Sequence, residues 1–134
     1  MIAYHDTLGQ VTVEQLTGFF VGWPSPPSPA THLRLLRNSA HVVLAIYETG
    51  EVVGFVTALS DGILAASISL LEVKPAYQGQ GIGTELMRWM LSKLEHLYMV
   101  DLGCDPALQP FYARVGMVPS TGMMLRHYRR QAGG

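Results

Sequence analysis

Apolar residues follow two different spacings along this chain, and each spacing predicts its own kind of element. Two nearly continuous apolar blocks, residues 42–47 and 52–58, are separated by a short polar turn. Blocks of this length between turn residues are typical of paired strands in an antiparallel hairpin. The dipeptide Asp61-Gly62 is a second hairpin signal. It predicts that residues 64–74 pair back as the next strand.

Other segments show a helical spacing. One apolar face recurs every four residues, at Ile82, Leu86, Met90 and Leu94, and it predicts a helix from residue 82 to about 94. A helix over 12–21 is predicted to begin at the capping-box pair Thr12 and Gln15, and another covers 30–37. Four prolines keep residues 23–29 out of regular structure.

Shorter patterns complete the element order. Residues 2–5 and 98–104 predict strands, and Asp105-Pro106 predicts the start of a helix that ends at Gly116. The methionine- and leucine-rich residues from 117 onward predict a last strand or hairpin. The order is therefore β-α-α-β-β-β-α-β-α-β. At this length the chain is expected to form one domain, residues 1–134, with a core of its own.

Composition narrows the classes of function. The chain is 49% apolar and 14% charged, as expected for a folded globular chain. A net charge of −1 offers no basic excess for nucleic acid or an anionic membrane, so neither is expected as a partner. No apolar run approaches the length of a membrane span. The single cysteine, Cys104, and the lack of a signal-peptide pattern favour a cytoplasmic location. The histidines and Cys104 show no metal-ligand spacing, so no metal is expected.

The strongest chemical signal follows the strand predicted over 64–74. That strand ends at Pro75, and three glycines at alternate positions then lead into the helix: Gly79, Gly81 and Gly83. Glycine permits a positive φ and lacks the Cβ that would hold a ligand away. The N-terminus of a helix presents free N–H groups and the positive end of the macrodipole. The segment therefore predicts a cradle for phosphate or pyrophosphate.

Two common phosphate-binding motifs fit this loop poorly. A nucleotide P-loop ends in Gly-Lys-Ser/Thr, whereas Gly83 is followed by Thr84 with no lysine. A dinucleotide fingerprint reads G-x-G-x-x-G, and here the third glycine falls one residue early. Asp101 stands at the distance of the fingerprint's acidic residue, but residues 102–134 are too few for the rest of a doubly wound domain. A nucleotide-binding module that shares only the glycine loop is kept as an alternative.

The motif Gln78-Gly79-Gln80-Gly81-Ile82-Gly83, after Val73-Lys74-Pro75 and before a helix, resembles the acyl-CoA pyrophosphate loop of the GNAT superfamily of N-acetyltransferases. The segment Phe111-Tyr112-Ala113-Arg114-Val115-Gly116-Met117 resembles the family's F-Y-x-x-x-G-F, with Met117 replacing the usual aromatic. The resemblance covers nearly the whole chain. It implies an α/β (α+β) fold with a mixed, mostly antiparallel sheet flanked by helices. The glycine-loop strand and the next strand would be parallel and splay apart around the pantetheine arm.

The resemblance also implies an activity, the transfer of an acetyl group from the co-substrate acetyl-CoA to a primary amine by direct attack in a ternary complex. The family's tyrosine points at the CoA sulfur, so Tyr112 would give a proton to the departing thiolate. Asp105 stands where many members have asparagine. The implied cofactor-binding residues lie on the strand end, the loop and the last helix: Leu71, Val73, Gln78, Gly79, Gln80, Gly81, Ile82, Gly83, Thr84, Asp105, Phe111 and Tyr112.

The attacking amine must lose a proton, because a lysine-like amine is almost fully protonated at pH 7. Members of the family often use a glutamate on the central strands. Glu72 is the candidate base, since positions 65–67 hold Ala-Ala-Ser, which cannot act as one. Two alternatives stay open: Glu72 is a structural carboxylate, or a water chain ends on Glu48, Asp61 or a backbone carbonyl.

Four further expectations concern the acceptor, an alternative function, a homodimer and the proline-rich loop. The acceptor is a small-molecule or peptide amine, and the sequence does not identify it. The alternative function is a CoA-binding sensor or dimerisation module of the same fold without catalysis. The final methionine- and leucine-rich segment makes a homodimer plausible. The loop 23–29 is either packing or a lid, in which case Phe19, Phe20 and Trp23 would line an apolar acceptor pocket.

Overall fold

The computed structural model describes all 134 residues and contains one five-stranded sheet. The strands lie in chain order and are β1 (Ile2–His5), β2 (His41–Tyr47), β3 (Val52–Ser60), β4 (Ala65–Val73) and β5 (Met99–Asp101). Neighbours from β1 to β4 pair antiparallel, whereas β5 is parallel to β4. The predicted fold class, a mixed and mostly antiparallel sheet flanked by helices, is confirmed.

Three α-helices accompany the sheet: α1 (Pro29–Asn38), α2 (Ile82–Lys93) and α3 (Gln109–Ala113). Ser28 caps α1, because its hydroxyl accepts the N–H of Thr31 and Pro29 occupies the first helical position. The helix predicted over 30–37 is therefore confirmed. Short 3₁₀-helices cover Val13–Leu16, Pro75–Tyr77, Pro106–Leu108 and Tyr128–Arg130. None of the helices has the length and apolar character that crossing a bilayer requires.

Two apolar clusters form the core, one with α2 and one with α1. The predicted face of α2 is confirmed, because Ile82, Leu86, Met90 and Leu94 are all buried against the sheet. The second cluster joins α1 to the segment before it and to β3, through Leu16, Phe19, Phe20, Leu36 and Phe55. The sheet is thus covered by α2 on one side and by α1 with residues 12–23 on the other.

The helix predicted over 12–21 is wrong after Leu16. Only the 3₁₀ turn Val13–Leu16 forms, and Gln15 Oε1 accepts the N–H of Thr12 at 2.8 Å. Gly18 and Phe20 then take φ values of +87° and +60°, which lie outside the right-handed helical region. The apolar spacing that predicted a helix instead brings Phe19 and Phe20 into the core by a series of turns.

The C-terminal part of the chain also contains less regular secondary structure than predicted. The strand predicted over 98–104 covers only Met99–Asp101. The helix after Asp105 is a 3₁₀ turn followed by the short α3. No strand follows residue 117, and residues 118–126 make no backbone–backbone hydrogen bond. Met123, Met124 and Leu125 in this segment are exposed, and a homodimer built on it stays a prediction.

One buried histidine makes folding stability depend on pH. His32 on α1 is enclosed by the rings of Phe19, Phe20 and Phe55, with centroids 4.4–5.3 Å away, and neither ring nitrogen has a hydrogen-bond partner. Burial lowers the pKa of His32 from 6.5 to about 4. Between pH 6.5 and pH 4 the His32 side chain is therefore protonated in the unfolded chain and neutral in the folded chain. The contribution of His32 to stability should fall by about 3 kcal/mol between pH 6.5 and pH 4 and then level off.

The variant His32→Leu tests this expectation. Urea unfolding of the wild type and the variant, measured from pH 7.5 down to pH 4, should give curves that diverge as the pH falls, with the variant losing less stability. The exposed His5 supplies the control His5→Gln, which should follow the wild type. Parallel curves for the wild type and His32→Leu would contradict the assignment.

Candidate active site

Strands β4 and β5 stay paired over three residues only, Ala65–Ser67 with Met99–Asp101. Beyond this point β4 continues to Val73 without a neighbour on that side. The N–H of Lys74 donates to the C=O of Val53 in β3 at 2.8 Å. In an antiparallel pair, the N–H groups of successive residues point alternately toward the partner strand and away from it. Because the N–H of Lys74 points toward β3, those of Leu71 and Val73 point away from it. Their backbone polar groups face the gap between the splayed strands.

The glycine loop forms one end of this gap. Gly79 and Gly81 have φ values of +77° and +84°, and a Cβ built on either would meet nothing within 4 Å. Here glycine is required by the backbone conformation, and the space outside the loop is open. The first bond of α2 runs from the N–H of Glu85 to the C=O of Gly81 at 3.1 Å. The N–H groups of residues 82–84 thus have no helical partner and can bind an anionic group.

Gly83 joins the loop to the second predicted motif. A Cβ built on Gly83 would lie 3.4 Å from Phe111 Cζ and 3.7 Å from Val73 Cγ2. The start of α2, the end of β4 and α3 therefore meet at this glycine, where even a Cβ would be in contact with both Phe111 and Val73. Because Phe111 precedes Tyr112, the contact places the tyrosine's helix beside the glycine loop.

Tyr112 is half-buried on α3, with its ring edge-on to that of Phe111 at 4.9 Å between centroids. Burial raises the pKa of Tyr112 above its usual value, and the nearby Cys104 thiol adds to the rise. The phenol therefore keeps its proton at neutral pH. Asp105 precedes the 3₁₀ turn as predicted, but it is exposed and its side chain makes no capping hydrogen bond.

Glu72 lies among the residues that face α1 and the loop before it. Its Oε1 accepts the N–H of Phe20 at 2.9 Å and its Oε2 accepts the N–H of Val21 at 3.3 Å. Phe20 is the only non-glycine residue with a positive φ, a conformation that is strained for an aromatic side chain. The carboxylate thus holds a strained turn in place. The sequence carried no signal for this contact, because its partners lie about fifty residues apart.

A cavity of about 310 Å³ opens beside Glu72 at the end of β4. We call it the inner cavity. Gln78 contributes to its wall and donates its Nε2 to the C=O of Val73 at 3.0 Å, which ties the cavity to the splayed backbone. The lining residues are Val21, Trp23, Phe55, Leu70, Leu71, Glu72, Pro75 and Gln78.

A second cavity of about 310 Å³, the outer cavity, shares Trp23 and Leu70 with the inner one. Its other walls come from the proline-rich loop, from α1 and from the C-terminal tail. Phe20 and Trp23 line it as predicted, whereas Phe19 is buried in the core beneath Lys74 Nζ, 4.9 Å from the ring centroid. The remaining lining residues, which sequence reasoning missed, are Pro27, Thr31, Arg34, Leu35, Asn38, Gln131 and Gly133.

The other carboxylates considered as possible ends of a water chain, Asp61 and Glu48, lie outside both cavities. Asp61 Oδ1 accepts the N–H groups of residues 63–65 at 2.8–3.2 Å and so closes its own turn. Glu48 lies 3.7 Å from the amino terminus. No group of three or more His, Cys, Asp or Glu side chains is placed to hold a metal ion.

Comparison with known proteins agrees with this geometry. Residues 9–117 match the model of the Acetyltransferase (GNAT) family. A structure from Deinococcus radiodurans R1, described provisionally as an acetyltransferase, is 54% identical and superposes with a TM-score of 0.96 over 98% of this chain and 92% of its own. A GNAT-family acetyltransferase from Streptococcus pneumoniae TIGR4 is 27% identical, with a TM-score of 0.77 over 95% of this chain and 98% of its own.

Curated relatives are more distant. The uncharacterised N-acetyltransferase ycf52 of Gracilaria tenuistipitata var. liui is 30% identical over 73% of this chain and 56% of its own length. The chain spans less than two thirds of the length of this relative and of a similar one from Prochlorococcus marinus. The family match nevertheless covers the glycine loop, the splayed strands and the Phe111-Tyr112 helix together. The chain therefore belongs to the GNAT family of acetyltransferases.

Proposed function

We propose that the protein transfers an acetyl group from acetyl-CoA to a primary amine by direct attack in a ternary complex. The observation that carries the proposal is the meeting of the glycine loop, the open edge of β4 and the tyrosine helix at Gly83. The gap between β4 and β5 is then bordered by the glycine loop, which can bind an anion, by backbone polar groups of β4, and by the protonated phenol of Tyr112. Acetyl-CoA would supply the activated thioester.

Different residues around the gap would bind different parts of acetyl-CoA. The glycine loop, with Gln78, Gln80 and the free amides up to Thr84, would hold the pyrophosphate. The outward-facing backbone groups of Leu71 and the N–H of Val73 suit the amides of the pantetheine arm, which would pair with β4 as an added strand does. The N–H of Val73 would also stabilise the negative charge that develops on the thioester oxygen.

Two side chains are proposed to move protons. Tyr112 would give its proton to the departing thiolate, which its raised pKa permits because the phenol stays protonated at neutral pH. Glu72 lies in the wall of the inner cavity and would take a proton from the incoming ammonium, directly or through water. Its two amide contacts occupy only part of its accepting capacity.

Thermal unfolding with four candidate ligands tests the co-substrate. Acetyl-CoA and CoA should raise the melting temperature by several degrees, because a ligand at one hundred times its Kd stabilises the fold by about 2.7 kcal/mol. ATP and NAD should leave it unchanged. No response to either CoA species would refute the proposal, and a response to ATP or NAD alone would favour a nucleotide-binding module. Stabilisation without acetylation of any amine in a broad panel would favour the sensor alternative.

A further inference from the structure

We propose that the acceptor is an amine that also carries an anionic group, with an apolar body between the two ends. The amine would lie at Glu72 in the inner cavity and the anion at Arg34 in the outer cavity. This inference rests on the proposed function for the placement of the amine, and it adds the chemical class of the acceptor.

Arg34 gives the outer cavity its charge. It lies on α1 and lines the cavity, and its guanidinium makes neither an ion pair nor a side-chain hydrogen bond within the chain. No aspartate or glutamate is among the lining residues. An arginine fork has five N–H donors and binds carboxylate or phosphate in a bidentate manner. The cavity therefore offers a cationic donor without an anion of its own.

Gln131 adds a second free donor from the opposite wall. Its Oε1 accepts the N–H of Ser25 at 2.8 Å, so the carbonyl end of the amide is occupied and the NH₂ group is the end left free. Asn38 has the reverse arrangement, because its Nδ2 donates to the C=O of Arg34 at 2.8 Å, which leaves an acceptor. Arg34 and Gln131 thus supply donors from α1 and from the tail, as recognition of an anion requires.

The inner cavity has the opposite charge. The Glu72 carboxylate forms no ion pair with any lysine, arginine or histidine, and its contacts are with two neutral backbone amides. An ammonium group is the partner that balances this charge. The two neighbouring cavities, which share Trp23 and Leu70, thus carry opposite charges, negative at Glu72 and positive at Arg34.

Apolar side chains separate the two charged ends. Trp23 and Leu70 line both cavities, and Phe20 lines the outer one. An α-amino acid carries its two charges on one carbon and cannot place them in different cavities. The proposed acceptor therefore has an apolar body between its two charges, and a dipeptide with an apolar side chain is a simple probe of this class. A polyamine is disfavoured, because its second cation would face Arg34.

Two dipeptide probes test the proposal. Glycylleucine and glycylleucinamide share the same amine and the same body, and differ in the charge of the far end. The wild type should show a KM for glycylleucine about tenfold to a hundredfold lower than for the amide, as expected for hydrogen bonds to a charged group, with little difference in kcat. Arg34→Gln should abolish this preference. Arg37→Gln, on the same helix but outside the cavity, should preserve it.

Calorimetric binding of both probes to the protein with CoA separates this inference from acetyl transfer. A preference for glycylleucine that depends on Arg34 supports the inference even if no acetylated product forms, in which case only the proposed activity fails. Equal binding of the acid and the amide, an unchanged preference in Arg34→Gln, or no binding of either probe overturns the inference, whatever the turnover of other amines.

Discussion

Replacing Tyr112 with phenylalanine should lower kcat by about 10²–10⁴-fold, the usual contribution of a positioned general acid, and change the Kd for acetyl-CoA little. The ring would keep its contact with Phe111, so the variant removes the phenolic proton and leaves the packing of α3 intact. Without that proton the thiolate must leave unprotonated. Steady-state kinetics with a fixed amine, together with calorimetric titration of acetyl-CoA, separates the two effects.

The control for this variant is Tyr98→Phe. Tyr98 is exposed and lies just before β5, and its replacement should leave kcat unchanged. The pH profile gives a second check. Because the pKa of Tyr112 is raised above its usual value by burial, the decline of kcat at alkaline pH should begin only above the range of an ordinary phenol. Wild-type turnover in Tyr112→Phe would remove this residue from the mechanism.

Replacing Glu72 with glutamine should lower kcat/KM by about 10²-fold or more, because an amide cannot accept the proton of the attacking ammonium. Glutamine keeps one oxygen that can accept the N–H of Phe20, so the strained turn retains its shorter contact. Steady-state measurement of kcat/KM with a fixed amine is the decisive experiment.

Two further variants distinguish the proposed role of Glu72 as a base from its structural role. Glu72→Ala should lose stability as well as rate, since it leaves the amides of Phe20 and Val21 without their acceptor. Glu48→Gln should resemble the wild type. Wild-type kcat/KM in Glu72→Gln together with a large loss in Glu48→Gln would remove Glu72 as the base and place the base at the end of a water chain.

Local patterns predicted those parts of the molecule that depend on nearby residues. The four-residue spacing of α2 and the glycine loop before it both appear as expected. The hairpin of β2 and β3 is also confirmed. In each case the hydrogen-bond partners of the backbone lie within the same element or in the next one along the chain. The spacing of apolar residues and the turn residues were therefore sufficient to predict these elements.

Long-range contacts account for what the sequence did not predict. The helix expected over 12–21 is replaced by turns, and the N–H groups of Phe20 and Val21 in these turns donate to Glu72, a residue on β4 about fifty positions further along the chain. Strand β5 ends early because β4 diverges from it after residue 67. Arg34 and Gln131 were not noticed as site residues, because only the folded chain brings α1 and the tail around one cavity.

The segment 118–126, which makes no backbone–backbone hydrogen bonds, divides the molecule into two parts that can change independently. It lies past the end of the family match at residue 117, and beyond it the tail supplies Gln131 and Gly133 to the outer cavity. Substitutions there would reshape the outer cavity and leave the glycine loop intact. Descendants of this scaffold could thus acquire new ligands for the outer cavity by altering the tail alone, with the residues proposed for acetyl transfer inherited unchanged.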